Sequence, residues 1–146
     1  MSKIPWILDE KYKNHLLKEY RHWVINVSSN QHTLGCYVVI AKREIEKISE
    51  CNEEELKELV KVMSEIETAL LESKEFKPDR FNYLQLGNGW HHLHFHGIPR
   101  YETPRIFAGK EWVDKAWGKP PVWNYESSSE ELIEKLKIAI LKHLPK

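Results

Sequence analysis

The chain has 146 residues, the size of one ordinary domain, and its 41% apolar and 30% charged content is that of a globular protein. Lys and Arg total 22 and so do Asp and Glu, so the formal charge is zero and the cationic excess of a general nucleic-acid binder is missing. Two cysteines are too few for a disulfide framework, and no apolar run approaches about 18 residues, so neither a secreted scaffold nor a membrane partner is expected. The N-terminus, MSKIPWILDEKYK, reaches Asp9 and Glu10 before an apolar run develops, which argues against a secretory leader. The expectation is a cytoplasmic protein with one domain over 1–146, a core at about 22–115 and a C-terminal loop and helix at 116–146.

In chain order, residues 9–20 (DEKYKNHLLKEY) predict a short helix, with Tyr12, Leu16 and Tyr20 at helical spacing. HWVINV (22–27) and LGCYVVIAK (34–42) are rich in β-branched and aromatic residues, and the polar SSNQHT between them makes an antiparallel hairpin. Asn52 with Glu55 forms a capping-box signal, and Leu56, Leu59, Val60, Met63, Ile66 and Leu70 trace one apolar stripe on a helix ending near Ser73. Pro78 disfavours helical geometry at Lys77. Val62 and Ala69 broaden that stripe, and the wide face suggests a homodimer.

FNYLQL (81–86) and HHLHFHGI (91–98) predict two further strands joined through Gly87, Asn88 and Gly89. Residues 99–126 show no period and hold four of the seven prolines, so they are expected to form an irregular segment. SSSEELIEKLKIAILKHL closes as a helix, with Ser128 and Glu131 as its capping box and Leu132, Leu136, Ile140 and Leu144 facing inward. The fold class predicted is α+β, an antiparallel meander sheet with a long helix and a C-terminal helix packed beside it.

Four of the eight histidines, His91, His92, His94 and His96, fall within six residues. On a strand His92, His94 and His96 share a face, roughly 6.5–7 Å between neighbours, while Leu93 and Phe95 anchor the other face in the core. Three readings compete. The row is a solvated face, or a set of metal ligands, or a nucleophilic site in which one imidazole attacks an electrophile while a neighbour manages the leaving group. Three adjacent imidazoles gain nothing for packing, which weighs against the first. A third histidine on one flat strand reaches a shared ion poorly, which weighs against the second.

His92-Leu93-His94-Phe95-His96-Gly97-Ile98 resembles the His-φ-His-φ-His-φ-φ signature of the histidine triad (HIT) superfamily, φ being hydrophobic, with Gly97 a departure. Pro99-Arg100 resembles the pair that often follows it. LGCYVVIAKREIEKISE, FNYLQLGN and RIFAGKEWVD are also similar to a bacterial and archaeal branch, so the resemblance covers about residues 22–115.

The resemblance implies a nucleotide hydrolase or transferase, acting on a dinucleoside polyphosphate or a nucleoside phosphoramidate at the α-phosphorus. His94 would be the nucleophile and form a nucleotidyl-histidine. His96 would bind the phosphoryl group and help the leaving group, and His92 would organise the site. Gln85, Asn88 and Asn26 would contact substrate, and no metal or cofactor is required. A noncatalytic nucleotide-binding module is the alternative, and a metalloenzyme ligated by the histidine row comes third. Cys36 stands where many members carry a fourth histidine, with His32 three residues earlier than expected for one. Trp112, Trp117 and Trp123 either wall a base pocket or pin a loop to the sheet. His91, Cys51, Arg43, Arg100 and Arg105 read as structural or solvated.

Overall fold

Alternating β-branched and aromatic residues build the centre of the molecule. In the computed structural model, which describes residues 10–146, Trp23–Val27 (β2) pairs antiparallel with Tyr37–Ala41 (β3). Residues 1–9, where no leader was expected, lie outside the described residues. β3 also pairs with His94–Arg100 (β5), β5 with Arg80–Leu84 (β4), and β2 with Leu16–Glu19 (β1). The result is a five-stranded antiparallel sheet in the order β1-β2-β3-β5-β4.

Helix α1 (Glu10–Lys13) is a single turn, α2 spans Glu53–Glu72 and α3 spans Glu130–Leu141. Trp23, Ile25, Val27, Tyr37 and Val39 form one buried cluster with Val62, Ile66 and Leu70 of α2 and Ile133, Leu136 and Ile140 of α3. Both longer helices therefore cover one face of the sheet, an α+β arrangement. On the opposite face, among the described residues, Val24 and Ile40 are joined by Tyr12, Leu16 and Val38, and a cleft lies over that side.

Several local expectations need correction. Residues 16–19 are a strand, not the second half of a helix, because Leu17 is drawn into the core and its neighbours pair with β2. Helix α2 is capped by Asn52 and Glu55 and ends at Ser73 as predicted, yet its inner face is rotated. Val62 and Ala69 are fully buried, whereas Leu56 and Val60 face outward. The cause is Glu55, 1% exposed, whose carboxylate accepts from Arg43 and from Asn52 N–H while its carbonyl accepts from Trp23 Nε1. The spare apolar face offered for dimerisation is thus core.

The cap of α3 is Ser129, accepting from Leu132 N–H, one residue beyond the predicted Ser128, which instead donates its backbone N–H to Ser29. Ile133 and Ala139 join Leu136 and Ile140 on the inward face, and Leu132 packs against it half-buried. Within the irregular segment Arg105–Phe107 (β6) and Lys110–Trp112 (β7) form a hairpin. Ala108 and Gly109 turn it with φ of 52° and 74°, the pair of positive angles that a tight two-residue hairpin turn demands.

Gly97, the departure from the hydrophobic pattern, has a steric reason. It pairs directly with Tyr37, whose ring lies over its backbone so closely that a Cβ there would come within 2.2 Å. The Tyr37 hydroxyl continues into a half-buried chain through Tyr83 (2.6 Å) to Glu67 on α2 (2.7 Å).

Candidate active site

The open face of the sheet carries a cleft of about 450 Å³, floored by Asn26, Val38 and Ile40 and walled by Trp90, His94 and His96. His94 and His96 stand on β5 opposite Ile40 and Val38, so strand pairing fixes them on the cleft side. Phe95 points the other way and meets Trp23 at 6.0 Å between ring centroids. The strand begins at His94, not at residue 91, so His92 belongs to the turn leading into it. His92 is buried, not on an open face, and its Nε2–H donates to the Ala41 carbonyl at 2.5 Å.

The geometry determines which nitrogen of His94 is free. Nδ1 lies 2.6 Å from the His92 carbonyl oxygen, which can only accept, so Nδ1 carries the proton and Nε2 keeps its lone pair. Burial pushes the His94 imidazole below its ordinary pKa, with the His92 carbonyl partly opposing it, so the ring is neutral near pH 7. His96 lies edge-on to His94 at 5.0 Å between ring centroids. Burial, with smaller contributions from the charges of His94 and His32, lowers its pKa from 6.5 to about 4. The arrangement therefore offers a neutral nitrogen nucleophile beside a neutral imidazole donor.

The sequence-based candidates divide. His94, His96 and Asn26 meet on the cleft, and Asn26 is buried with its side-chain oxygen unpartnered. Gln85 and Asn88 lie on the stretch between β4 and β5, outside the lining of the cleft. The Asn88 carbonyl accepts from His91, which is exposed. Arg43 is bound to Glu55, and Arg105 to the carbonyls of Phe76 and Lys77. Buried Arg100 holds Asp114, Asn82 and the carbonyls of Ala116 and Lys119, pinning the irregular segment to the sheet. Burial raises the thiol pKa of both Cys36 and Cys51. Among the described residues no group of three or more His, Cys, Asp or Glu side chains is placed to hold a metal ion.

Three further ring side chains gather around the triad, of which Trp90 is the one the sequence reading passed over. Trp90 stacks on His92 (4.9 Å, 15°) and tilts over His94 (4.9 Å, 33°). Trp123 meets His96 edge-on at 5.1 Å and stacks on His32 at 3.8 Å. Of the other tryptophans, Trp112 packs against the core, whereas Trp117 lines a second cleft.

His32 is brought in by Gln31, whose amide oxygen accepts from the N–H groups of Gly35 and Cys36 while its nitrogen donates to the carbonyls of Ser28 and Cys36. His32 Nδ1 in turn accepts from Asn124 N–H at 2.8 Å. The place of Trp90, two residues before His92 and directly after Gly87-Asn88-Gly89, was the available signal for the first of the three. Trp123 and His32 were singled out in the sequence, but the stacking of one on the other joins residues 91 positions apart and has no local signal.

A family model, that of the HIT domain, matches residues 10–103, well over half of the chain. The chain belongs to the HIT domain family. Among solved structures it resembles a histidine triad protein from Marinobacter aquaeolei VT8, with a TM-score of 0.62 and 24% identity over 94% of this chain and 97% of that one. A histidine triad protein from Sinorhizobium meliloti 1021 superposes with a TM-score of 0.69 at 20% identity, covering 93% and 95% of the two chains. A hypothetical histidine triad nucleotide-binding protein from Sulfolobus tokodaii strain7 gives 0.60 at 23% identity over 88% and 83%. At such identities these likenesses establish the fold. No curated protein matches the chain significantly.

Proposed function

We propose that this protein is a nucleotide hydrolase or transferase that cleaves a nucleotide conjugate at the α-phosphorus through a nucleotidyl-His94 intermediate. Dinucleoside polyphosphates and nucleoside phosphoramidates are the substrate classes. The carrying observation is the 2.6 Å hydrogen bond from His94 Nδ1 to the His92 carbonyl, which leaves Nε2 unprotonated on the cleft side of β5.

In this reading Nε2 attacks phosphorus, and the electron pair of the breaking bond leaves with the polyphosphate or amine. His96 donates its N–H to the phosphoryl group. An anion bound there raises the pKa of His96 from its low value in the free protein, so that it can protonate the leaving group. Water or another acceptor then displaces His94 from phosphorus.

Asn26 is the proposed ribose contact, and Gln85 and Asn88 contact the outer phosphoryl portion from beside the cleft. His92 organises the site through Ala41. No metal or other cofactor is required, so turnover should survive a chelator. The cysteines are free, which suits a reducing cytoplasm, and no helix of the described residues is long and apolar enough to cross a membrane. The partner is the small nucleotide substrate, without nucleic acid, and the assembly is a homodimer.

The test is chemical trapping. Brief mixing with substrate labelled at the α-phosphorus, followed by a basic quench, should leave label on the wild-type protein and none on His94→Ala. That variant should keep most of its nucleotide affinity, because many contacts hold the ligand while the nucleophile acts along the reaction coordinate. Label retained by His94→Ala would contradict the assignment.

A further inference from the structure

We propose that Trp90 is a positioning residue of the nucleophile, whose indole face both orients the His94 imidazole and stabilises the positive charge that this ring acquires on attack. The inference rests on the reading of His94 as the attacking group.

The charge follows from bookkeeping on the ring. Before attack His94 is neutral, with a proton on Nδ1 and a lone pair on Nε2. When that pair forms the Nε2–P bond, the P–O or P–N bond breaks and its electrons depart with the leaving group. The Nδ1 proton stays in its bond to the His92 carbonyl, so the imidazole becomes an imidazolium. When the acceptor oxygen displaces Nε2 from phosphorus, the pair returns to the ring and the charge disappears. A group that favours the cationic ring therefore acts on the transition state and intermediate more than on the free protein, which is the condition for accelerating the chemistry.

Among the described residues no Lys, Arg, Asp or Glu side chain lines the cleft, so none of their carboxylates balances this charge there. The imidazoles of His92 and His96 are the other titratable groups beside His94, and neither is an anion. Two features do answer the cation. One is the His92 carbonyl on Nδ1. The other is Trp90, whose ring centroid lies 4.9 Å from that of His94 at an interplanar angle of 33°, within the range of a cation–π contact with the best aromatic partner.

Trp90 is held there by its turn. Its carbonyl accepts from His92 N–H at 2.9 Å, and Gly87 before it adopts φ of 68°. The ring stacks at the same time on His92, which supplies the carbonyl, so one side chain braces both partners of the Nδ1 bond. It stays 37% exposed on the cleft side.

Trp90→Leu and Trp90→Phe separate charge stabilisation from bulk. In single-turnover trapping, Trp90→Leu should slow nucleotidyl transfer to His94 by about 2- to 30-fold, the range expected from loss of one such contact, while nucleotide affinity changes far less. Trp90→Phe should recover part of the rate. The readout independent of activity is the His94 pKa in the free protein, followed by NMR. Loss of the π face should lower it further in Trp90→Leu, whereas simple opening of the ring to water would raise it.

An unchanged or raised pKa in Trp90→Leu overturns the proposal. So does label reaching His94 at the wild-type rate in that variant, which leaves the nucleophile assignment standing. Label on His94→Ala overturns the nucleophile assignment itself.

Discussion

Each histidine of the triad is set by what its ring nitrogens meet rather than by its place in a repeating motif. His94 and His96 sit in similar amounts of protein, but only His94 has a carbonyl on Nδ1 that supports its protonated form. Burial lowers His96 to about 4, with two neighbouring imidazoles adding to it and no such carbonyl opposing it. The sign of the pH dependence follows. Only neutral His94 attacks, and a lowered pKa extends the neutral form into acid. The acid limb of kcat/KM, which reports the free protein, should therefore lie below pH 6.5, with activity flat from about 6.5 to 8. A limb centred above 6.5 would show that His94 is not the group whose ionisation limits turnover. The histidine row was visible in the sequence because alternation on a strand is a local rule. The buried state of His92 was not, because its partner is the carbonyl of Ala41, 51 residues away.

At the scale of elements, the segments with one dominant local signal formed where expected, and those decided by distant contacts did not. The capping box at Asn52 and Glu55 and the strands β2 and β3 belong to the first kind. Residues 16–19 belong to the second: their spacing suits a helix, but β2 offers hydrogen-bonding partners and the core takes Leu17. The rotation of α2 is instructive because a carboxylate decides it, and periodicity of apolar residues has no means to register Glu55 as an inward position. Gly97 shows the converse, a motif irregularity explained by a neighbour on another strand. Gly97→Ala should destabilise the fold by about 1–3 kcal/mol or more through overlap with the Tyr37 ring. In a Tyr37→Leu background the same change should cost much less, and denaturant midpoints of the four proteins would measure the coupling. Equal costs in both backgrounds would mean that the ring is not what forbids a side chain there.

For the whole molecule, the two borders of the sheet differ in a way that bears on assembly. The β1 border carries a bulge between Leu16 and Lys18 together with the charges of Lys18 and Glu19, features that deter pairing with another strand. The β4 border, RFNYL, has no bulge in its register with β5 and a single charge at Arg80. A second copy of the chain is therefore expected against β4 rather than on the face of α2. Sedimentation at micromolar concentration should give roughly twice the 17.4 kDa chain mass. A charged or proline substitution at the outward backbone of β4 should return it to the single chain. A 17.4 kDa species alone in the unaltered protein would refute the dimer.

The stretch from Trp123 to Ser128 has another implication. It is tied to residues 29–32 by the bonds of Asn124 to His32 and Gln31, of Asn30 to Glu126 and of Ser128 to Ser29. Synthesis proceeds from the N-terminus, and a chain begins to fold in that order. All five strands of the main sheet and all three triad histidines thus leave the ribosome before the segment that stands Trp123 against His96. The contact that flanks His96 is therefore the last part of the site to be synthesised, together with α3, whose Ile133, Leu136 and Ile140 complete the core beneath the sheet.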